Sequence, residues 1–252
     1  MNSFVDKENS FALYVFWGLV VTLLAIRVIK YLSYKHETFE VDYLVLAVTW
    51  PISICSSFKK ERNCAHKCDL SEDNWIIHGF WPHQNLGNHK QQISYYCPSS
   101  PFNHTELEPI RNLMEEYWPT KKSCWNNSQL WEHEWSKHGT CALQLKPLSS
   151  QLKYFQRTLE LYKEYDVTKA LNDCNIRPND LLLYRKDDIV DCFVNHFKKS
   201  PRLSCKQSNK KFLTEVMLCF DKELVLQDCK TFPALNKDNC KGALILAYPA
   251  QI

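Results

Sequence analysis

Glycine is scarce, with five in 252 residues, and this excludes collagen-like and glycine-rich repeat architectures. Charge of one sign is also lacking. The 31 Lys and Arg offset 28 Asp and Glu to a formal +3, which excludes a strongly basic nucleic-acid arm but leaves room for a local cationic cleft. The chain has no Pro/Gly/Ser-rich linker, internal repeat or low-complexity tract. Apolar residues at 45 % and aromatics at 13 % support a sizeable core and exclude global disorder.

What the chain has in excess is cysteine. Twelve residues, an even number, point to an oxidising compartment with several disulfides, or to metal ligation. Two N-glycosylation sequons, Asn103-His104-Thr105 and Asn126-Asn127-Ser128, fit the first reading. Near the N-terminus, Phe11 to Ile26 are 16 residues without a charge. A spanning helix needs about 20 apolar residues and a signal-peptide core about 7–15, so this run lies between the two. Asp6, Lys7 and Glu8 precede it, and Arg27, Lys30 and Lys35 follow it with no small-x-small cleavage site. Those charges favour a cytosolic C-terminal side, whereas the cysteines favour a lumenal or extracellular body. Residues 1–35 therefore read as a signal peptide or a signal anchor through residues 11–26, with a short linker. A buried core helix is the third reading. Residues 36–252 read as one folded domain.

Within that domain Tyr43–Trp50 reads as a buried strand stopped by Pro51, and Trp75–His78 as a short strand stopped by Gly79. Ile110, Leu113, Met114 and Tyr117 have helical spacing, with Pro119 ending the helix. Leu152, Phe155, Leu159 and Tyr162 form a second amphipathic stripe after Ser149-Ser150. Leu213–Phe220 and Glu223–Asp228 flank Asp221-Lys222 as a hairpin, and Ala243–Tyr248 is a final strand. The mixture has no βαβ rhythm, so the fold class is α+β.

Two segments carry chemistry. In Ile77-His78-Gly79-Phe80-Trp81-Pro82 a histidine ends a strand, where a rigid scaffold opens into a loop. Its bland alternative is a buried histidine beside a packed tryptophan. The second segment is Trp131-Glu132-His133-Glu134-Trp135-Ser136-Lys137-His138-Gly139-Thr140-Cys141. Read as a helix ending at Gly139, it places His133 over Lys137 and Glu134 over His138, four residues apart on one face. A solvated charged face would not explain the histidines and tryptophans. Zinc would need its second histidine where Lys137 stands. Cys64-Ala-His-Lys-Cys68 has loose metal-like spacing, but disulfides suit the compartment better.

RNA cleavage uses such a set without metal. The 2′-hydroxyl loses a proton as it attacks phosphorus, and the 5′-oxygen gains one as it leaves. Two imidazoles can do both near or below neutral pH. Lysine and a third histidine can stabilise the more negative phosphorane, and aromatics can stack on a base.

The two segments resemble the active-site signatures of the ribonuclease T2 family of acid endoribonucleases, and the similarity runs from about Tyr43 to Tyr248. The resemblance implies a disulfide-rich α+β fold with a largely antiparallel sheet flanked by helices. It implies cleavage of single-stranded RNA through a 2′,3′-cyclic phosphate, with no cofactor, and secretion or delivery to an acidic lysosomal or endomembrane lumen. A monomer is expected. By position, His78 matches the general acid, His138 the general base and His133 a phosphate-binding residue. Glu134 and Lys137 match groups that polarise the phosphate, and Trp81 matches an aromatic that stacks on a base. Departures bear on base preference: His83 stands where the family has an acidic residue, Leu130 where an aromatic is common, and Thr49 where Gln or His is frequent. The family pattern also suggests Cys97–Cys141, Cys205–Cys240 and Cys219–Cys229. Cys55 would pair with Cys64 or Cys68, the other of these with Cys124, and Cys174 is left to pair with Cys192. Asn103 and Asn126 are the expected glycan sites. The competing reading is a non-catalytic secreted glycoprotein that binds RNA or a cell-surface partner.

Overall fold

A computed structural model describes residues 16–29, 39–57, 74–85, 91–92, 97, 99–122, 124–207, 211–232, 239–240 and 245–250. The chain divides into two compact units, Met1–Thr38 and Phe39–Ile252. Of the first unit, residues 16–29 form a helix (α1) whose large apolar side chains, Phe16 to Ile29, are exposed. Among the described residues no helix is long and apolar enough to cross a membrane.

The second unit is built on a sheet in the order β3 (Gln91–Gln92), β2 (Ile76–Asn85), β1 (Tyr43–Thr49), β6 (Lys211–Phe220), β8 (Ile245–Tyr248) and β4 (Asn179–Arg185), with β5 (Arg202–Gln207) and β7 (Leu226–Gln227) also paired to β6. Its centre is β1 (Tyr43–Thr49), whose seven residues are all buried because both of its faces are covered. Pro51 does not only stop this strand. It opens a short helix, α2 (Pro51–Ser57), where its missing N–H is an orphan in any case.

Strand β2 (Ile76–Asn85) pairs antiparallel with β1 from Thr49↔Ile76 to Tyr43↔His83. It continues through Gly79 and Pro82, with a bulge at His78 between the Ala47↔Gly79 and Val48↔Ile77 pairs, so the expected stop at Gly79 is corrected. Before Gln84, β2 has no partner on its outer side among the described residues, since β3 (Gln91–Gln92) pairs only with Gln84 and Asn85. An edge of this kind tolerates proline.

A 3₁₀ turn (His104–Ile110) leads into α3 (Arg111–Tyr117), and α4 (Asn127–Glu134) follows. Asn126 caps α4 in a reciprocal pair with Gln129, each side chain accepting from the other's backbone N–H. The helix does not end at Gly139. It widens into a π turn (Trp135–Gly139) and continues as α5 (Thr140–Ala142). Ser150 caps α6 (Gln151–Glu164), which buries Tyr154, Phe155, Leu159 and Leu161, while Leu152 and Tyr162 pack at the margin. Then come α7 (Val167–Asp173), β4 (Asn179–Arg185), α8 (Lys186–Phe197) and β5 (Arg202–Gln207). A hairpin of β6 (Lys211–Phe220) and β7 (Leu226–Gln227) precedes β8 (Ile245–Tyr248). Among the described residues all strand pairs are antiparallel except β6 with β8.

The core is aromatic. Trp50, Trp75, Trp118 and Trp135 are almost fully buried, and each indole N–H donates to an oxygen: Pro249 O, Tyr248 Oη, His78 O and Ser100 O, respectively. Disulfides join Cys97–Cys141, Cys174–Cys192, Cys205–Cys240 and Cys219–Cys229. Cys124 is also disulfide-bonded. Its partner and the side chains of Cys55, Cys64 and Cys68 lie outside the described residues.

Candidate active site

Strand β2 and the α4–π-turn segment bring the two sequence signatures together. Gly79 makes the contact possible. A Cβ there would lie 2.1 Å from Trp81 Nε1 and 2.4 Å from Glu134 Oε2. With only a hydrogen in that space, the Trp81 indole N–H reaches Glu134 Oε2 at 3.0 Å. The Trp81 ring packs edge-on to His78, centroids 5.0 Å apart, and at a tilt to His138 at 5.7 Å. His78 is fixed at its backbone, where its carbonyl accepts from Trp118 Nε1 at 3.1 Å.

The π turn changes how the second signature is arranged. Thr140 N–H donates to Trp135 O, five residues back, so neighbours along this turn are five apart rather than four. After burial, His133 is the neighbour that most disfavours protonation of His138. Glu134 is only 3 % exposed and turns inward to β2, while His133 and Lys137 stay on the open side. The four residues therefore do not share one face.

The electrostatics separate the groups. Burial, together with the nearby His133, His83, His78 and Lys137, lowers the His138 pKa to about 3, so this imidazole is neutral in mild acid. Its Nδ1 is buried without a hydrogen-bond partner among the described residues. At His78, burial works against the charge, but the hydrogen bond and charge of Glu215, helped by Glu134, outweigh it and raise the pKa. Burial raises Glu134 to about 7 against the His78 charge and the Trp81 hydrogen bond. Burial and the cations Lys137 and Lys122 lower His133.

A cavity of about 520 Å³ opens beside this cluster. His78, His133 and Glu134 line it, together with Lys122, Trp125 and Glu215. Trp81, Lys137 and His138 are not among its lining residues. The aromatic ring that faces it is Trp125, stacked under the Lys122 ammonium at 4.5 Å and packed on His133 at 5.3 Å. His83 is buried rather than open to the cleft, with its ring stacked on Tyr43 at 4.9 Å, and burial lowers its pKa to about 4. Leu130 and Thr49 both line the cavity. Among the described residues no group of three or more His, Cys, Asp or Glu side chains could hold a metal ion.

Sequence reasoning missed Glu215 on β6. Its Oε1 is 2.5 Å from His78 Nδ1 and accepts from Thr49 Oγ1 at 3.1 Å. The available signal was a lone carboxylate in the largely apolar run Leu213–Phe220, since such a residue is rarely buried without a partner.

The comparisons with known proteins identify the family. The model of the ribonuclease T2 family matches residues 41–229. Ribonuclease T2 of Sus scrofa is 37 % identical over 193 residues, covering 74 % of this chain and 88 % of that protein. Ribonuclease T2 of Homo sapiens is 33 % identical over 200 residues, covering 77 % and 72 %. The crystal structure of human RNase T2 superposes with a TM-score of 0.65 at 29 % identity, covering 83 % of this chain and 98 % of that one. The chain belongs to the ribonuclease T2 family of endoribonucleases.

Proposed function

We propose that residues 36–252 form the catalytic domain of an endoribonuclease that cleaves single-stranded RNA by attack of the 2′-hydroxyl on the adjacent phosphorus. His138 takes the hydroxyl proton, and His78 gives a proton to the departing 5′-oxygen. The bond formed is 2′-O–P and the bond broken is P–5′-O, so the products are a 2′,3′-cyclic phosphate and a free 5′-hydroxyl. His133 binds the phosphate. Lys137 and Glu134 stabilise the charge that builds on its oxygens.

The opposed proton preferences of His78 and His138 carry this reading. One imidazole is held in its charged form and the other in its neutral form, as a general acid and a general base require, and both pack on the same tryptophan. Trp81 either stacks on a base or acts through Glu134; its committed N–H favours the second role. Several disulfides support a secreted or lumenal site of action, reached through residues 1–35 as signal peptide or membrane anchor. The exposed Asn103 and Asn126 are the proposed glycan sites, and the chain acts as a monomer.

The purified protein should degrade yeast RNA at about pH 5 in EDTA, leaving cyclic-phosphate ends, and His138→Ala should abolish this. A folded, disulfide-bonded wild type that is inert from pH 4 to 8 would overturn the proposal.

A further inference from the structure

Strand β6 runs beside β1 on one side and β5 on the other, with Thr49 opposite Glu215 in the first pairing and Ser204 opposite Glu215 in the second. A carboxylate in such a strand, with a side chain only 15 % exposed, is unfavourable unless its oxygens are satisfied. Here they are. Thr49 donates its hydroxyl at 3.1 Å, Ser204 hydrogen-bonds through its side chain, and His78 Nδ1 lies at 2.5 Å. Three strands thus converge on one carboxylate, and its outermost partner is the imidazole at the cleft.

We propose that Glu215 is a positioning residue for His78. By holding Nδ1–H, it fixes the ring's orientation and tautomer and leaves Nε2 as the nitrogen that carries a proton to the substrate. The proposal rests on the general-acid role given to His78 above. Hydrogen-bonding one ring nitrogen to a carboxylate fixes where the proton on the other resides. It also stabilises the imidazolium, because the negative charge lies against the protonated ring.

The groups around His78 act in both directions. From β6 it faces Glu215, and from α4 it faces the Glu134 carboxyl. The Lys122 ammonium approaches from the loop before α4 and opposes them, as does burial. Its own strand contributes the neutral Trp81 ring. Thr49 and Ser204 touch Glu215 and add no charge. Glu215 is the nearest charge and the one hydrogen-bonded to the ring, so it sets the balance.

The test uses the full chain with Glu215→Gln, which preserves size and polarity but removes the charge. His78 should titrate above 6.5 in the wild type by NMR, with the resonance assigned by its loss in His78→Asn. In Glu215→Gln the midpoint should fall by about one pH unit, which corresponds to a tenfold weaker hold on the proton. The alkaline limb of kcat/KM on a dinucleoside phosphate should move by the same amount. The loss of activity should therefore be greater at pH 7.5 than at pH 5, by up to about tenfold. Unchanged His78 midpoints in a folded variant would overturn the dyad. Should Glu215→Gln not fold, the wild type decides: a downfield, hydrogen-bonded Nδ1–H signal from His78 supports the proposal and its absence overturns it. The NMR result does not require turnover. A His78 titration that depends on Glu215 in a protein inert towards RNA would retain the dyad and remove the proposed reaction. RNA cleavage with an insensitive His78 would do the reverse.

Discussion

The Trp81 indole N–H donates to Glu134 Oε2 at 3.0 Å, linking the strand of the first signature to the helix of the second. This bond separates two roles for Trp81. A tryptophan that acts by stacking on a base would retain most of its effect as phenylalanine. A tryptophan that acts by holding Glu134 would not. In Trp81→Phe the buried carboxyl loses its donor, and its pKa should rise beyond about 7 because the hydrogen bond holds it down against burial. We expect kcat to fall at least about tenfold with little change in KM. The stability loss should be about 1–3 kcal/mol for a buried acceptor left unpaired. Steady-state kinetics and denaturant unfolding check both.

Gly79 tests the same contact from the backbone. In Gly79→Ala the new methyl group would overlap Trp81 Nε1 and Glu134 Oε2, so the two must part. Overpacking of this kind typically costs about 1–3 kcal/mol. The variant should fold with a lowered melting temperature and lose at least about tenfold in kcat. Activity equal to wild type would mean that the Trp81–Glu134 bond does not contribute to the chemistry.

The free enzyme should have a broad, acid-centred profile. His138 must be neutral to accept a proton, so kcat/KM falls on the acid side only near its lowered pKa of about 3. His78 must be charged to donate, so the alkaline fall comes at its raised pKa, above the ordinary 6.5. A kcat/KM profile measured from pH 3 to 9 should therefore stay high through pH 4–6. An acid limb centred near 6.5 would contradict the arrangement of the two histidines.

These predictions depend on features that differed in how far the sequence revealed them. The strands β1 and β8, the helix around Met114 and the β6–β7 hairpin follow from apolar periodicity and turn residues, which act locally. Residue type and spacing drew attention to His78, His133, Glu134, Lys137 and His138, and the resemblance of the two signatures to the family supplied their expected roles. Two features depended on longer-range geometry. A helical period of 3.6 cannot show a π turn, so the sequence put four residues on one face of a helix ending at Gly139, whereas the chain widens there and continues to Ala142 with Glu134 buried. Glu215 matters only because sheet register puts it opposite Thr49 and Ser204 and against His78, from a position 137 residues away in the chain. Strand β4 was missed for another reason: Leu181, Leu182 and Leu183 are all exposed and show no alternation.

His83 provides the last test, and it concerns stability rather than catalysis. Its ring is 6 % exposed and stacked on Tyr43, which in turn stacks on Phe232. Burial lowers its pKa from 6.5 to about 4. The sign follows from the two states. Above 6.5 the histidine is neutral folded or unfolded, and stability is unaffected. As the pH falls from 6.5 towards 4, the unfolded chain takes up the proton while the folded chain does not, so stability is lost across that window. His83→Phe keeps an aromatic ring in the stack and removes the titration. At pH 4.5 it should be more stable than the wild type by roughly 2 kcal/mol, a melting shift of several degrees for a domain of this size. At pH 7.5 the difference should be much smaller. Thermal unfolding at both pH values measures it, and an equal shift at each would mean that the protonation of His83 does not contribute to acid sensitivity.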